Sequence, residues 1–439
     1  MRKAPGLRLV AAHQPFEDGA LAGIFPEAQK RLILHENRPP FGAPLGALPV
    51  VRTCSSSGLA AEGLFEGAWL NEECIQKEVR AEEANRKFME RYRSALTVGG
   101  KAFRFALDFE DLGQREGASQ IAVIHIDGNG VGRVFQDIVM EEAHNDLRFK
   151  ARMRAASDAI RQITQNALGK TLRDLSAALP GLKKQGVHLT KDYYPVRPLV
   201  DEGDELTVVC QGKLGLLFTS MYLENAEAEA AGHVGVLGRN LTFSAGVALV
   251  GQRFPFSRAY YLADALTGSA KRRAKLLSDG GSWLDFEIVR EGTAGSLEQI
   301  RSQYRRVVPG SGNRPAVVRQ LLRRPYRIGG DDRWSWQACE KRWKGFQSAH
   351  WARSVAKSLL SALSRGEEET QDLVSEIESR GRKLPEPTCG KGAWFQDVEL
   401  KAWNTFYFDP LDYLDLHVLL DQAEGEQGKE GNAHVAVAN

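Results

Sequence analysis

Three acidic residues lie where a buried strand and a tight turn are expected. Asp127 ends the apolar run QIAVIHID, and Asp204 and Glu205 lie in the acidic segment DEGDE. Phosphoryl transfer needs mainly positioning and charge neutralisation from a protein. Mg²⁺ supplies the neutralisation while bound to one or two carboxylates, water and phosphate. If the turn lies beside the first strand, these acids predict a site for Mg²⁺ (or Mn²⁺), with the Gly128 carbonyl as a further ligand.

Each acid alone has a simpler interpretation. A single aspartate at a strand end is often a turn residue, and DEGDE by itself is typical of an acidic hairpin turn. The combination favours the metal site, because two ions about 3.5–4 Å apart could clamp the attacking and leaving oxygens of a displacement. His125, on the same strand, is interpreted as a packed or hydrogen-bonded core histidine.

A glycine-rich segment directly follows this strand. Gly128, Gly130 and Gly132 lack Cβ atoms, so a triphosphate could approach the backbone closely. Gly203 would allow the positive φ that a tight turn needs. A dinucleotide-binding fingerprint is the alternative, but it fails on spacing, because the third glycine of G-x-G-x-x-G would fall at Arg133.

The elements that must position these residues follow a recognisable order. Apolar periodicity and glycine-containing turns predict a strand, helical sequence, a hairpin, a helix, a strand and a helix, over residues 120–127, 131–179, 193–211, 213–231, 241–250 and 254–276. A hairpin within a helix-covered sheet indicates an α+β fold of the ferredoxin-like palm type.

Length and composition indicate the general class of the protein and its division into regions. The 439 residues are 43% hydrophobic and 26% charged, with a formal net charge of +2, which is ordinary for a globular protein of two or three domains. We expect a mixed N-terminal region over 1–118, the palm over 119–291, and a basic, mainly helical region with a flexible tail over 292–439. The sequence shows no signal peptide and no apolar run of membrane-spanning length, so a cytoplasmic location without membrane contact is expected.

Five cysteines lie far apart in the sequence, namely Cys54, Cys74, Cys210, Cys339 and Cys389. Without a C-x-x-C pair, neither a structural zinc site nor a disulfide framework is expected. A nucleophile at the first of them, in TCSSSGLA, is rejected, because the segment has no G-x-S-x-G elbow and no identifiable partner histidine.

The C-terminal region combines arginine, lysine and tryptophan. Basic grooves with aromatic platforms bind single-stranded nucleic acid, so an RNA or DNA activator is one interpretation. The favoured alternative is that the tryptophans are core residues and the basic groups a solvated surface. The residues concerned are Arg323, Arg324, Arg327, Lys341, Arg342 and Lys344, with Trp334, Trp336, Trp343 and Trp351.

Four segments carry a family resemblance. IHIDGNGVG, PVRPLVDEGDELTVV, FSAGVAL and FPFSRAYYLADALTGSAKRRAK resemble the palm domain of the large polymerase-like subunit of type III CRISPR effectors. They are more distantly similar to GGDEF diguanylate cyclases. The resemblance covers about residues 119–290. It implies that ATP or GTP binds with Mg²⁺ and that a 3′-hydroxyl attacks an α-phosphate to give cyclic oligoadenylates or cyclic dinucleotides.

The resemblance also implies roles for single residues. Asp127 matches the first metal-binding aspartate, and Asp204 and Glu205 match the two acids of the turn. Lys271 or Lys275 matches the lysine that contacts the triphosphate, which suits a point charge on phosphate. The implied nucleotide-binding residues are Gly128, Asn129, Gly130, Gly203, Lys271 and Lys275.

Three departures qualify the resemblance. Glu202 replaces the first glycine of the family's turn, one palm is recognisable rather than two, and no histidine directly precedes an aspartate as in a nuclease domain. The chain therefore looks like a stand-alone relative that uses a second copy or a defence-complex partner. We expect a nucleotidyltransferase or cyclase that makes a cyclic nucleotide signal in antiviral defence. The alternative is an inactive palm that binds nucleotide or nucleic acid within a CRISPR-like complex.

Overall fold

A computed structural model shows an α+β protein built around one large mixed sheet. It describes residues 11–36, 51–98, 100–112, 120–277, 280–290, 295–309, 316–330, 332, 335–386, 392–397 and 402–420. None of the helices in these ranges is both long and apolar enough to cross a membrane.

The helices of the described ranges vary from one turn to more than ten. They are α1 Leu21–Glu36, α2 Glu72–Arg91, α3 Val131–Glu141, α4 Asp146–Lys184, α5 Gly215–Ala231, α6 Val234–Leu237, α7 Phe256–Leu277, α8 Leu297–Ser302, α9 Trp336–Gln347, α10 Arg353–Arg365, α11 Glu367–Ser379 and α12 Phe408–Asp412. Short 3₁₀ turns cover Phe109–Asp111 and Gly212–Leu214.

The strands of the same ranges form one six-stranded sheet and several smaller ones. They are β1 Gly63–Phe65, β2 Ala68–Leu70, β3 Thr97–Val98, β4 Lys101–Ala102, β5 Arg104–Phe105, β6 Gln120–Asn129, β7 Tyr193–Tyr194, β8 Val196–Glu202, β9 Glu205–Gln211, β10 Thr242–Gly251, β11 Trp283–Ile288, β12 Arg305–Val308, β13 Val317–Gln320, β14 Tyr326–Arg327, β15 Phe395–Asp397 and β16 Ala402–Asn404.

The order of strands in the main sheet confirms the predicted fold class. The sheet runs β14-β11-β10-β6-β9-β8. Its four strands β10-β6-β9-β8 pair antiparallel throughout. In chain order these are the fourth, first, third and second strands of a β-α-β-β-α-β unit, which is the ferredoxin-like plan. After α7 the chain adds β11 parallel to β10.

Two element boundaries differ from the sequence prediction. The first strand continues beyond Asp127 to Asn129, because β10 pairs with it as far as Thr242. The single helix expected over 131–179 is two helices, α3 and α4. The break between them is stabilised by Asn145, whose side-chain oxygen accepts a hydrogen bond from the Arg148 N–H at 3.0 Å and caps α4.

Opposite faces of β6 pack against different helices. Ala122, Ile124 and Ile126 belong to the large core that includes α4 and α5. Ile121 and Val123 belong to a second core beneath α7. This alternation follows from the two-residue period of a strand, and it explains why the sequence of β6 is apolar at nearly every position.

The predicted region boundaries do not separate independent cores. β14, from the C-terminal region, extends the main sheet beside β11, and β5, from the N-terminal region, pairs with β7. One buried cluster includes Tyr92, Ile124 and Trp336. The C-terminal region was also predicted as mainly helical, but besides its helices it contains a four-stranded sheet of order β12-β13-β16-β15.

A glycine in β10 allows α7 to lie close to the sheet. A Cβ atom at Gly246 would lie 2.1 Å from the Ala263 carbonyl oxygen and 2.5 Å from the Thr267 nitrogen. Both are backbone atoms of α7, so a side chain cannot be accommodated without moving the helix. This close approach fixes the position of α7 over β6 and β10.

We predict that Gly246→Ala lowers the free energy of unfolding by about 3 kcal/mol, because the added methyl group overpacks a backbone contact. Gly251→Ala is the control in the same strand, since a Cβ atom there meets nothing within 4 Å. Urea denaturation of both variants measures the difference. Equal midpoints for the two variants would contradict this account of the packing.

Candidate functional site

The structure brings Asp127 and Asp204 together at one end of the main sheet. Asp127 lies near the end of β6, and Asp204 lies in the two-residue turn between β8 and β9. Their carboxyl groups are close enough to hydrogen-bond. Burial, and then the neighbouring Asp127, raise the pKa of Asp204 to about 6. The pair therefore holds a proton more tightly than an isolated aspartate does.

Lys271 supplies the positive charge nearest to the pair. Its ammonium group forms an ion pair with the carboxylate of Asp127. Both side chains are about one-third exposed, at 35% and 33%, so a ligand from solvent can reach them. Lys275 lies one helical turn further along α7 and is exposed. Of the two lysines predicted to contact a triphosphate, Lys271 is the one that contacts the carboxylate pair.

The turn that carries Asp204 has the geometry expected from its glycine. Glu202 and Glu205 pair across the hairpin, which leaves Gly203 and Asp204 as the turn. Gly203 has a φ of 61°, a value that favours glycine. Its carbonyl oxygen accepts a hydrogen bond from the Thr164 hydroxyl of α4 at 2.7 Å. Glu202, which replaces a glycine of the family pattern, is exposed.

A buried aspartate anchors the same hairpin to the N-terminal region. Asp201 is 2% exposed, and its Oδ2 accepts hydrogen bonds of 2.6 Å from both Arg91 and the Tyr92 hydroxyl. Burial and this carboxylate raise the pKa of Tyr92, so the phenol stays protonated as a donor. The sequence did not predict these contacts, because the partners are 110 and 109 residues apart.

Gly128 is required by the protein's own turn. A Cβ atom there would lie 2.9 Å from the Cβ of Asp204, 3.0 Å from its Oδ2 and 2.7 Å from the Cγ2 of Val131. A larger residue at this position would therefore push Asp204 away from β6. From the sequence, Gly128 was predicted to let a nucleotide approach the backbone. In the structure, the group that lies close to Gly128 is the neighbouring hairpin.

At the start of α3 the Arg133 N–H already donates to the Gly130 carbonyl at 2.9 Å, so the donors that this helix start can offer a ligand are the N–H groups of Val131 and Gly132. Gly130 precedes the helix with a φ of 77°, and no side chain caps the helix N-terminus. The first N–H groups of a helix lack intrahelical partners, and they attract anions together with the helix dipole. A Cβ atom at Gly130 or Gly132 would meet nothing within 4 Å. This part of the glycine segment is therefore open to a phosphate group.

Asn129 has its amide group occupied by β10. The amide nitrogen donates to the Thr242 hydroxyl at 3.0 Å, and the amide oxygen accepts from the Ser244 hydroxyl at 2.9 Å. These bonds tie the end of β6 to its neighbour. Asn129 was predicted as a nucleotide-binding residue, and its side chain serves the sheet in this structure.

Glu205 lies against Tyr260 and His125. Its Oε1 is 3.4 Å from the Tyr260 hydroxyl and 3.8 Å from Nδ1 of His125. Burial, and then the charge of Glu205, raise the pKa of Tyr260. Within the described ranges no three His, Cys, Asp or Glu side chains are grouped as a metal site. The contacts seen for Glu205 are therefore with Tyr260 and His125, and its role as a metal ligand stays a prediction.

His125 is a core residue, as predicted. It is 6% exposed, and its Nδ1 lies 3.3 Å from the Thr207 hydroxyl. Its ring packs edge-on against Tyr260 at a centroid distance of 5.4 Å. These contacts join β6, β9 and α7 directly below Asp127.

Two of the six basic residues considered for nucleic-acid contact are buried, so that prediction is wrong for them, and Arg327 is half-buried. Arg324 bonds to Asp409 at 3.0 Å and Asp412 at 2.7 Å, and it lies 3.9 Å above the Phe286 ring. Arg342 is 0% exposed and stacks over Phe406 at 4.2 Å. Arginine in these positions is neutralised by acids or covered by aromatic rings inside the core.

The remaining predicted contacts divide between surface and core. Lys341 and Lys344 are exposed, and Arg323 is half-buried with its backbone N–H 2.8 Å from the Asp409 carboxylate. Three tryptophans are buried, which confirms the core interpretation for them, and these are Trp336, Trp343 and Trp351. Trp334 lies outside the described residues.

The sheet order and the carboxylate pair together define a palm-type α+β protein. No family model matches the sequence, and no curated protein matches it. Solved structures do match. Csm1 from T. onnurineus matches with a TM-score of 0.42 and 12% identity, over 92% of this chain and 53% of that chain.

Csm1–Csm4 cassettes match as well. The complex with one ATP has a TM-score of 0.37 and 13% identity, over 73% of this chain and 40% of that chain. The complex with cA4 has a TM-score of 0.35 and 12% identity, over 68% and 37%. The chain thus spans about half or less of the matched chains. Csm1 belongs to type III CRISPR effectors, the class that the sequence motifs resemble.

We predict that Asp204→Asn stabilises the metal-free protein above about pH 6. A raised folded pKa contributes stability below the unfolded pKa, and that contribution is lost as the pH rises through the folded pKa. At about pH 8 the carboxylate pair of the wild-type protein is ionised and partly buried, which lowers the free energy of unfolding. At this pH the free energy of unfolding of the variant should be about 1 kcal/mol higher than that of the wild-type protein, a value reduced because the site is partly exposed. The difference should vanish towards about pH 4.

Chemical denaturation in the presence of a chelator, repeated across this pH range, measures the effect. Glu202→Gln is the matched control, because it removes an exposed carboxylate from the same turn. An Asp204→Asn variant that is less stable than the wild-type protein at about pH 8 would contradict the prediction.

Proposed function

We propose that this chain is a palm protein of the type III CRISPR class that binds a nucleoside triphosphate with Mg²⁺ (or Mn²⁺) at Asp127 and Asp204. Its reaction is nucleotidyl transfer, and its product is a cyclic nucleotide or oligonucleotide that serves as a signal in antiviral defence. The observation that carries the proposal is the contact between these two carboxylates at the end of the sheet.

The carboxylate pair suits a divalent cation. Two acids in contact cannot both ionise without strong repulsion, as the raised pKa of Asp204 indicates. Asp127 and Asp204 would hold the ion, and the Gly128 carbonyl remains the proposed further ligand. When bound, the ion neutralises phosphate charge and supplies the electrostatic stabilisation that phosphoryl transfer requires.

Lys271 has a second task in this proposal. Without ligands it neutralises Asp127. With a cation held at that carboxylate, the ammonium group would be available to contact a phosphate oxygen, and ammonium–phosphate hydrogen bonds are strong because both partners are charged. The free N–H groups at the start of α3 add donors for the same phosphates. Binding of the triphosphate thus uses groups that the protein already places within one small region.

The hairpin has to hold Asp204 in place throughout the reaction. Three groups outside the hairpin hold it, namely Arg91 and Tyr92 through Asp201, and Thr164 through the Gly203 carbonyl. Their contacts are with the hairpin itself, so in this proposal they are positioning residues. Such support matters because small displacements of catalytic groups lower rates strongly.

We predict that Asp127→Ala and Asp204→Ala each reduce product formation by at least about 100-fold, because each removes half of the cation site. The 439-residue protein is incubated with ATP, GTP or a mixture of nucleoside triphosphates and Mg²⁺ or Mn²⁺, and products are resolved by mass spectrometry. Asp174→Ala is the control, since that carboxylate is exposed and pairs with Lys170. Product that survives in either site variant would reject this site.

We predict that Lys271→Met raises the KM for the triphosphate about 10-fold or more, because a charge-assisted contact to phosphate is lost. Lys275→Met should change it less, since Lys271 is the lysine that contacts Asp127. Steady-state kinetics on both variants measures the difference. A larger effect at Lys275 would assign the phosphate contact to the second lysine instead.

An inactive nucleotide-binding palm is the second candidate. Glu202 favours it, because a charged side chain replaces a glycine of the family's turn. Calorimetry that detects triphosphate binding while the product assay stays blank would support this alternative.

Adding RNA or DNA to the product assay tests whether a nucleic acid activates the protein. Lys341 and Lys344 are exposed and could contact such an activator. Product formation that rises with the square of protein concentration would indicate that a second copy completes the site.

A further inference from the structure

Two cysteines of the N-terminal region lie side by side, away from the carboxylate pair. The sulfur atoms of Cys54 and Cys74 are 3.8 Å apart. Cys54 begins a tight loop that is closed by a 2.7 Å hydrogen bond from its N–H to the Leu59 carbonyl. Cys74 lies in the first turn of α2, where its N–H donates to the side chain of Asn71 at 3.0 Å. A loop and a helix start are thus joined through two thiols.

The surroundings of the two sulfur atoms differ. Burial alone would raise the pKa of Cys54, but hydrogen bonds from the side chain and backbone of Ser57 outweigh it and lower the pKa to about 6. The Ser57 N–H lies 3.4 Å from the sulfur. For Cys74, burial and the neighbouring Cys54 raise the pKa. Cys54 therefore has the lower pKa of the two and is the better nucleophile near neutral pH, while Cys74 stays a thiol with its sulfur 3.8 Å away.

We propose that Cys54 and Cys74 form a redox-active dithiol that a small hydroperoxide converts into a reversible disulfide. Cys54 is the attacking residue and Cys74 the resolving residue. This site is independent of the proposed nucleotidyl transfer. A nucleophile at Cys54 was rejected because no partner histidine is identifiable in the sequence, whereas the structure places a second cysteine beside it.

The chemistry balances without any further reagent. The Cys54 thiolate attacks one oxygen of hydrogen peroxide, the O–O bond breaks, and the departing hydroxide takes up a proton to become water. Cys54 is then a sulfenic acid. The sulfur of Cys74 loses its proton and attacks the sulfur of Cys54, which breaks the S–O bond and releases a second water. Two thiols are oxidised by two electrons, and one peroxide is reduced to two waters.

The limited exposure of the two cysteines favours a small oxidant. Cys54 is 2% exposed, while Cys74 is partly exposed and the loop residues Ser55 to Leu59 are exposed. The other two cysteines within the described residues are less suited. Cys210 and Cys339 are buried at 0% exposure, and burial raises the pKa of both. They stay as inert thiols under the same conditions.

Peptide mapping of the 439-residue protein tests the proposal. The reduced protein is treated with hydrogen peroxide, the peroxide is removed with catalase, and remaining thiols are alkylated before digestion and mass spectrometry. We expect a linked peptide containing Cys54 and Cys74 that disappears after dithiothreitol treatment. Cys74→Ser should stop at a sulfenic acid on Cys54 that dimedone captures. Cys54→Ser should slow oxidation of Cys74 by at least about 10-fold.

Two further variants act as controls, and circular dichroism checks that each variant is folded. Ser57→Ala should slow the reaction, because it removes the hydroxyl that stabilises the thiolate. Cys389→Ser should leave the linked peptide unchanged, which excludes that cysteine as the partner. The proposal is overturned if the wild-type protein gives no linked peptide, if Cys54 pairs with Cys389, or if dimedone labels Cys74 first.

Discussion

Two carboxylates in contact repel each other, and the palm of this protein is arranged around that repulsion. Asp127 and Asp204 come from different parts of the chain, 77 residues apart in sequence (204 minus 127). Burial, and then the neighbouring Asp127, raise the pKa of Asp204, so its ionised form is unfavourable in this position. Lys271 offsets part of this repulsion through Asp127. Functional sites often lower the stability of a protein, because activity requires an arrangement of side chains that is not the most stable one.

The surrounding structure keeps the repelling groups from separating. Gly128 leaves the space that Asp204 occupies, and Asp201 ties the hairpin to Arg91 and Tyr92. Gly246 lets α7 approach the sheet closely enough for Lys271 to contact Asp127. The N-terminal region, whose role was not apparent from its composition, thus has a structural task at the hairpin.

Burial decides what the charged residues of this chain can do. Arg324 and Arg342 have the same side chain as an exposed phosphate-binding arginine, yet both are enclosed in the core. Arg324 is neutralised there by Asp409 and Asp412. The removal of one partner from such a buried network leaves an uncompensated charge and is strongly destabilising. Arg324 therefore holds the C-terminal region to β11 through the Phe286 carbonyl, while Arg342 packs against Phe406 within the C-terminal region. Neither side chain presents a surface to nucleic acid.

The sequence by itself determined the features that depend on neighbouring residues. The apolar run of β6, the hairpin with a positive φ at Gly203 and the order of elements follow from local periodicity and turn chemistry, and together they specify the ferredoxin-like plan. They also place Asp127 and Asp204 at the same end of the sheet. His125 was recognised as a core residue for the same reason, since it lies within a continuous apolar strand.

Only the tertiary structure decided which distant side chains meet. Glu205 accepts a hydrogen bond from Tyr260, and Asn129 is hydrogen-bonded to Thr242 and Ser244. Asp201 accepts a hydrogen bond from Arg91 of α2. The C-terminal strands were not recognised, because they are two to four residues long, too short for a period to be visible. Contacts across a hundred residues depend on how helices pack on the sheet, and that packing is a property of the whole chain rather than of any segment.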